Sequence, residues 1–258
     1  MEFIVTQLAY ILLGLAAGIL SGTFGIGGGT LTTPAMRDVL RTPGHVALGT
    51  PLPIIVPTAI SGALVFRRKG MLKYRIGAVC ALAGSVTALL GAAATAYFTG
   101  REMMLITSAF IALLAARFAL TGKEPKPRVK IAPTKLFFRA TFVGLAAGGL
   151  SGFLGVGGGV ILVPAMVLLL NFRVHEAVGT SLMVMAIYAI PGSVAHYLLG
   201  HVDVALLIPI AIGSVLGAQF GARLAVRTRE KRLRLAFSVF LLMVAVSMAA
   251  LELLGWNS

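Results

Sequence analysis

The chain has 258 residues, 58% of them hydrophobic and only 12% charged, with a mean hydropathy of +0.97 and a formal net charge of +14. A soluble domain of this size does not need so much apolar sequence, and apolar runs of about 18 to 25 residues recur from end to end, so the composition predicts an all-α polytopic membrane protein. It leaves no room for a separate soluble domain, shows none of the alternation of a β-barrel, and supplies one cysteine, Cys80, too few for a disulfide or a cysteine-based metal site.

In chain order, the first apolar segment covers residues 3–21. The only charge before it is Glu2, so it lacks the basic start of a signal peptide and reads as a mature helix. A glycine-rich turn follows at 22–29, then a short segment at 30–40 whose eleven residues rise only about 16 Å, half a bilayer. The third segment, 45–66, is interrupted early by Pro51, Pro53 and Pro57, and two more follow at 71–98 and 102–120. Residues 122–135 are rich in proline and charge and form a linker. The order then repeats, with segments at 136–151, 160–171, 175–199, 202–226 and 233–254. The division is therefore a first membrane repeat, 1–121, the linker, and a second repeat, 136–258, within one membrane domain.

The repeat is visible in the residues. Gly14 to Met36 reads GLAAGILSGTFGIGGGTLTTPAM, and Gly144 to Met166 reads GLAAGGLSGFLGVGGGVILVPAM, with 15 of 23 positions identical at an offset of 130. Two copies at half-chain spacing mark a duplicated membrane unit.

The basic residues define its topology. Seventeen of the 22 lie in three clusters, at 67–75, 123–139 and 223–234, all flanking apolar runs. That is the positive-inside pattern of cytoplasmic loops, and it accounts for the charge without nucleic acid. The turns at 100–102 and 200–203 are neutral or lack Lys and Arg, so they lie outside. Parity then inserts the two copies upside down relative to each other, with both termini outside and the central linker in the cytoplasm. Whether the short segments span fully, or dip in and return as re-entrant hairpins, leaves that count unchanged; their shortness favours a broken segment with its tip at membrane depth.

The glycines form two sets. Gly14, Gly18 and Gly22, with Gly144, Gly148 and Gly152, are spaced for close helix packing. Gly25, Gly27, Gly28 and Gly29, with Gly155, Gly157, Gly158 and Gly159, are too glycine-rich for a helix. They permit positive φ and leave backbone N–H groups bare; a helix starting just after them would add a positive dipole end. A tight packing turn and a tip that lines an anion site both fit. Thr33 before Pro34 suits an N-cap with proline at the first helical position, whereas Val163 cannot cap before Pro164, and a helix kink is the alternative.

A second constellation opens the third segment of each half: His45-Val-Ala-Leu-Gly-Thr50 against His175-Glu-Ala-Val-Gly-Thr180-Ser181. The hydroxyls of Thr50, Thr180 and Ser181 can donate to an anion or cap a helix. His45 and His175 suit an interfacial position at a helix entrance, or gating and proton coupling. No acid lies deep in an apolar run, which argues against a carboxylate relay and a buried cation. No catalytic, metal-binding or nucleotide motif is present, so neither an enzyme nor a cofactor is expected.

The duplicated G-x-G-G-G-x-x-x-x-P-A-M, each copy followed by H-x-A-[LV]-G-T, resembles the sulfite exporter TauE/SafE family, the toluene-sulfonate uptake permeases, over essentially the whole chain. The resemblance implies a multi-pass secondary transporter of the bacterial inner membrane, an exporter of small sulfur-containing anions such as sulfite, sulfoacetate or other organosulfonates. It carries over Gly25, Gly27 to Gly29, Pro34, Gly49 and Thr50, with Gly155, Gly157 to Gly159, Pro164, Gly179 and Thr180; the copies part at Pro51, where the second has Ser181. The expected partners are a small anion and the lipid bilayer. Coupling would be to an ion gradient or to the substrate's own, and monomer and homodimer both stay open. The alternatives are a permease for another small anion and an accessory or assembly subunit that transports nothing.

Overall fold

The computed structural model describes residues 2–36, 40, 42–94, 109, 112, 113, 116, 132–154, 158–198 and 200–253. Among them there is no strand. The helices are α1 (Glu2–Phe24), α2 (Gly29–Pro34), α3 (Gly44–Gly49), α4 (Pro51–Arg68), α5 (Tyr74–Ala94), α6 (Pro133–Leu154), α7 (Gly159–Leu170), α8 (Val174–Leu198), α9 (Val204–Arg227) and α10 (Glu230–Leu253). The all-α membrane architecture stands: four of these are long and apolar enough to cross a bilayer, over Val5–Phe24, Tyr74–Gly91, Val174–Leu198 and Val204–Arg227. Most of the expected segment at 102–120, and the linker up to residue 131, lie outside the described residues.

Several boundaries move for local reasons. The first turn does not begin at Gly22: α1 continues to Phe24, because a single glycine does not stop a helix and the positive φ angles begin only at Gly25. The third segment is one helix in the second repeat and two in the first. Pro51 has no N–H to give to Ala47 O, so the chain breaks at Thr50, whereas Ser181 lets α8 run unbroken. Linker residues 133–135 belong to α6, which takes Pro133 as its first residue.

The halves hold each other by reciprocal contacts. A Cβ added to Gly14, Gly18 or Gly22 of α1 would lie 2.9 Å from Ile210 Cα, 2.7 Å from Ser214 Cα or 2.8 Å from Ala218 Cα of α9. In the other pair, a Cβ on Gly144 of α6 would lie 2.8 Å from Cys80 Cα of α5, and one on Gly148 would overlap Gly84. Gly14 on Ile210 and Gly18 on Ser214 map onto Gly144 on Cys80 and Gly148 on Gly84 through the offset of the sequence repeat. Such exchange, in which residue i meets j and the copy of i meets the copy of j, is the mark of a two-fold relation. Between apolar helices in lipid, side-chain burial gives little drive, so association rests on this backbone approach and on interhelical hydrogen bonds. Such bonds include, among the described residues, Ser214 Oγ donating to Gly14 O at 3.0 Å, Cys80 Sγ to Ala140 O at 3.2 Å and Thr87 Oγ1 to Leu145 O at 2.8 Å.

The outward faces match a lipid solvent. On α9, Gly213, Gly217 and Gly221 press on α1, while Ile208, Ile212, Leu216, Phe220 and Leu224 form an exposed apolar stripe at four-residue spacing. In water that stripe would be an aggregation surface; against acyl chains it is the correct solvent face.

The helix ends sort into two poles. At one, Lys73 Nζ pairs with Glu176 Oε1 at 3.1 Å and Val174 N–H donates to Glu230 Oε1 at 2.9 Å. This joins the α4–α5, α7–α8 and α9–α10 turns and gathers exposed Arg67, Arg68, Lys69, Arg173, Arg227 and Arg229. At the other, the α8–α9 turn with His201 and Asp203 meets Gly49 and Thr50. We expect Gly18→Leu and Gly148→Leu each to cost about 1–3 kcal/mol or more by forcing packed backbones apart. Gly192→Ala, whose added Cβ meets only Leu52 at 3.7 Å, should stay within about 0.5 kcal/mol. Thermal unfolding in detergent checks both.

Candidate functional site

Depth along the helices fixes where the glycine turns lie. α1 and α9 run parallel, and Gly22, near the end of α1, abuts Ala218, just past the middle of α9. At 1.5 Å per residue Gly22, two residues before the end of α1, is thus about 21 Å from one end of α9 and about 14 Å from the other, near mid-span. The second turn is reached from the basic pole and leads back to it. Arg139 Nη1, in the second turn of α6, donates to Leu169 O at the end of α7 at 3.2 Å, satisfying a carbonyl and placing a cation on that helix's negative end. The twelve residues of α7 rise about 18 Å, so α6 and α7 form a hairpin that dips in and returns.

The first tip is wholly buried from Ser21 to Gly29. Its chain reversal needs left-handed backbone: Gly25, Gly27 and Gly28 have φ of 71°, 80° and 76°, and Gly158 repeats it with 58°. Helix resumes as soon as the reversal is complete, with Gly28 and Gly158 as N-caps of α2 and α7. The Thr33–Pro34 capping reading is therefore corrected: Pro34 closes α2, and Pro164 stands inside α7, where it cannot donate to Val160 O. Phe24 anchors the end of α1 on α10, its ring stacked on Phe240 at 5.2 Å and tilted on Phe237 at 5.5 Å.

The two tips touch. A Cβ on Gly159 would lie 2.5 Å from Ile26 Cα, overlap Gly25 O and come 2.8 Å from Met185 Sδ. One on Gly25 would meet Ser181 Oγ at 2.5 Å and Val178 O at 2.9 Å. Gly25, Gly27, Gly28, Gly29, Gly158, Gly159 and Ser181 are thus brought into one buried neighbourhood at mid-span. Gly155 and Gly157 lie outside the described residues, as does the side chain of His45.

The family described as Sulfite exporter TauE/SafE matches residues 10–248, across both tips and both repeats. The chain belongs to the TauE/SafE family. Among its relatives, the Probable membrane transporter protein YdhB of Bacillus subtilis is 28% identical over 83% of this chain and 88% of its own. YunE of the same organism is 27% identical over 91% and 94%, and a Probable membrane transporter protein of Xylella fastidiosa 26% over 91% and 90%. No solved structure matches.

Within this TauE/SafE chain the remaining candidate residues separate. Thr50 and Thr180 are fully buried, and each hydroxyl accepts a backbone N–H from the opposite repeat, Asp203 N at 3.0 Å and Lys73 N at 3.1 Å. Asp203 and Lys73 occupy equivalent positions of the two repeats, so the two bonds are copies of one another. These threonines cap, as one of the two sequence readings has it, but they cap entries to helices of the other half. Ser181 Oγ donates to Gly25 O at 2.9 Å and to Val178 O at 2.8 Å, which fixes the carbonyl of the first tip. His175 Nε2 lies 3.0 Å from both Ala225 O and Thr228 O; carbonyls only accept, so Nε2 carries the hydrogen and the ring caps the end of α9 at the basic pole. Among the described residues no group of three His, Cys, Asp or Glu could hold a metal.

Sequence reasoning missed three residues of this neighbourhood, Ser21, Ser151 and Tyr188. Both serines lie in the duplicated stretch beside the capping glycines, but only the second turns its hydroxyl toward its glycine: a Cβ on Gly158 would sit 3.0 Å from Ser151 Cβ and Oγ, whereas one on Gly28 would sit 3.8 Å from Ser21 Cβ with Oγ farther away. Tyr188, 5% exposed, sets its hydroxyl against Gly158 and hydrogen-bonds Ser151. Ser21 Oγ is buried and finds no partner among the described residues, a condition that costs about 1–3 kcal/mol unless a guest relieves it. We expect Thr50→Val and Thr180→Val each to lower stability by about 1–3 kcal/mol, since each strands a buried N–H of the other repeat. Thr→Ser should restore most of it in thermal unfolding.

Proposed function

We propose that the protein is a secondary transporter, working as an exporter, for small sulfur-containing anions such as sulfite, sulfoacetate or other organosulfonates. The observation that carries this reading is the meeting of the two glycine tips, Gly25–Ile26 on Gly159, at mid-span between repeats that grip each other reciprocally. Backbone that leaves the helix at such depth is tolerated where it is buried or lines a cavity. Amides of the two glycine runs, with the positive end of α7, can replace an anion's water without placing a formal charge in the membrane. The family description and the names of the relatives support membrane transport and a sulfur oxyanion.

In this account the basic pole faces the cytoplasm and the Asp203 pole faces outside, so the two repeats are inserted in opposite senses. Rocking one repeat against the other would open the tips to one side and then the other. Thr50 and Thr180 act on transport by holding repeat to repeat, and Ser181 by fixing Gly25 O.

The test is uptake of labelled sulfite and sulfoacetate into proteoliposomes, paired with the thermal shift each anion produces. The reading expects saturable uptake. It expects Gly27→Leu and Gly159→Leu to lower that uptake at least tenfold while the protein stays monodisperse. A wild-type protein that takes up neither anion and shifts with neither contradicts it.

A further inference from the structure

α4 and α9 come from opposite repeats, and both run from the Asp203 pole to the basic pole. They pack side by side: Ser61 Oγ donates to Val215 O at 2.9 Å, and a Cβ on Gly62 would lie 3.8 Å from Ala218 Cβ. On the lipid side of that contact, helical periodicity aligns Pro57, Leu64 and Arg68 of α4 beside Ile212, Gln219 and Arg223 of α9. All of these are exposed except Gln219, which is half-buried. Counted from the Ser61–Val215 bond, Arg68 lies about 11 Å along α4 and Arg223 about 12 Å along α9. The furrow between the helices is therefore apolar along its length and ends between two arginines at one level. Arg223 turns inward: its Nη2 reaches back to Gln219 Oε1, one turn deeper, at 3.5 Å. That holds the guanidinium over the furrow, where an unrestrained arginine would extend to the water beyond the helix end. Among the described residues neither arginine meets a carboxylate, and a cation held against acyl chains is costly unless an anion joins it. The equivalent helices of the other copy, α8 and α5, carry Leu198, Leu89 and Ala93 in place of Arg68, Gln219 and Arg223. Helix packing therefore does not call for these three polar residues.

We propose that the furrow between α4 and α9 holds an anionic glycerophospholipid, with its phosphate between Arg68 and Arg223 and an acyl chain along Leu64 and Ile212. A guanidinium offers forked donors that match the oxygens of a phosphodiester, and two at one level clamp it from both sides. The apolar furrow beneath the clamp selects a lipid over a soluble phosphate, which has nothing to lay there. The surrounding charge selects the headgroup. Arg67, Lys69 and Arg227 are exposed nearby; they repel the ammonium of a zwitterionic headgroup and favour one with net negative charge. Because α4 belongs to the first repeat and α9 to the second, the lipid bridges the repeats at their basic ends. In the orientation proposed above it sits in the cytoplasmic leaflet, and the site does not depend on which anion the protein carries.

The experiment is native mass spectrometry of the purified full-length protein, titrated with equal amounts of phosphatidylglycerol and phosphatidylcholine of the same acyl chains. The readout is the preference for the anionic lipid in the first molecule bound. Wild type is compared with Arg68→Gln and Arg223→Gln, and with Arg75→Gln and Arg173→Gln, which remove the same charge from other exposed positions at that pole. Monodispersity in lipid-free detergent establishes that each variant is folded. Wild type is expected to prefer phosphatidylglycerol about twentyfold, and Arg68→Gln and Arg223→Gln each to lower that preference about fivefold. Arg75→Gln and Arg173→Gln should leave it within about twofold. A wild type without preference, equal losses in all four variants, or a loss confined to one of the two clamp arginines would overturn the site. The transporter reading is untouched by any of these results, since no transported anion enters the measurement.

Discussion

Everything in this molecule depends on backbone meeting backbone between the two repeats. α1 lies on α9 and α6 on α5 through Gly14, Gly18, Gly22, Gly144 and Gly148, with Gly213, Gly217 and Gly221 returning the contact. A bilayer offers no hydrophobic drive to pull one apolar helix onto another, so small residues that allow dispersion contact and hydrogen bonds must do it. The helices in contact come from opposite halves. Neither repeat can bury its glycine face alone, and the first segment of each half is completed only by the fourth segment of the other.

That exchange also sets the site. Because α1 is held in register along α9, its end falls near mid-span, and the chain must reverse there in a place that water does not reach. Glycine is the residue that reverses without cost from a Cβ, and its bare amides are the useful by-product. The threonines that looked like ligands serve the same exchange, since Thr50 and Thr180 receive the N–H groups that open α9 and α5. The two copies differ one layer behind the tips, where the second repeat has Tyr188 at the position that Thr58 holds in the first, and where Ser21, among the described residues, lacks the hydroxyl partner that Ser151 has.

Much of the frame was legible in the sequence. The duplication, the apolar segments, the short 160–171 helix and the proline break near residue 51 each leave a local mark: identity, hydropathy, length or a missing N–H. The glycine spacing announces a packed face, though not its partner, because α9 lies in the other half of the chain from α1 and carries no matching label. Thr50 reads as a helix-start residue, which it is, but for α9, at the far side of the repeat junction; local capping rules cannot reach that far. Thr33 before Pro34 satisfies a capping rule that loses to Gly28, whose positive φ has already started the helix. Tyr188 is invisible because a tyrosine in an apolar run looks like core. The signal that could have found it is the comparison of the two copies where they differ, Tyr188 against Thr58.

The central claim is that two copies of one unit enter the membrane in opposite senses and meet at their tips. It is tested most directly by side-specific labelling of single cysteines in a Cys80→Ala background, with a membrane-impermeant thiol reagent on intact cells. The account predicts that Val202→Cys, in the α8–α9 turn, labels from outside, whereas Lys69→Cys and Arg229→Cys, at the basic pole, label only after the cells are opened. Labelling of all three from one side would contradict it.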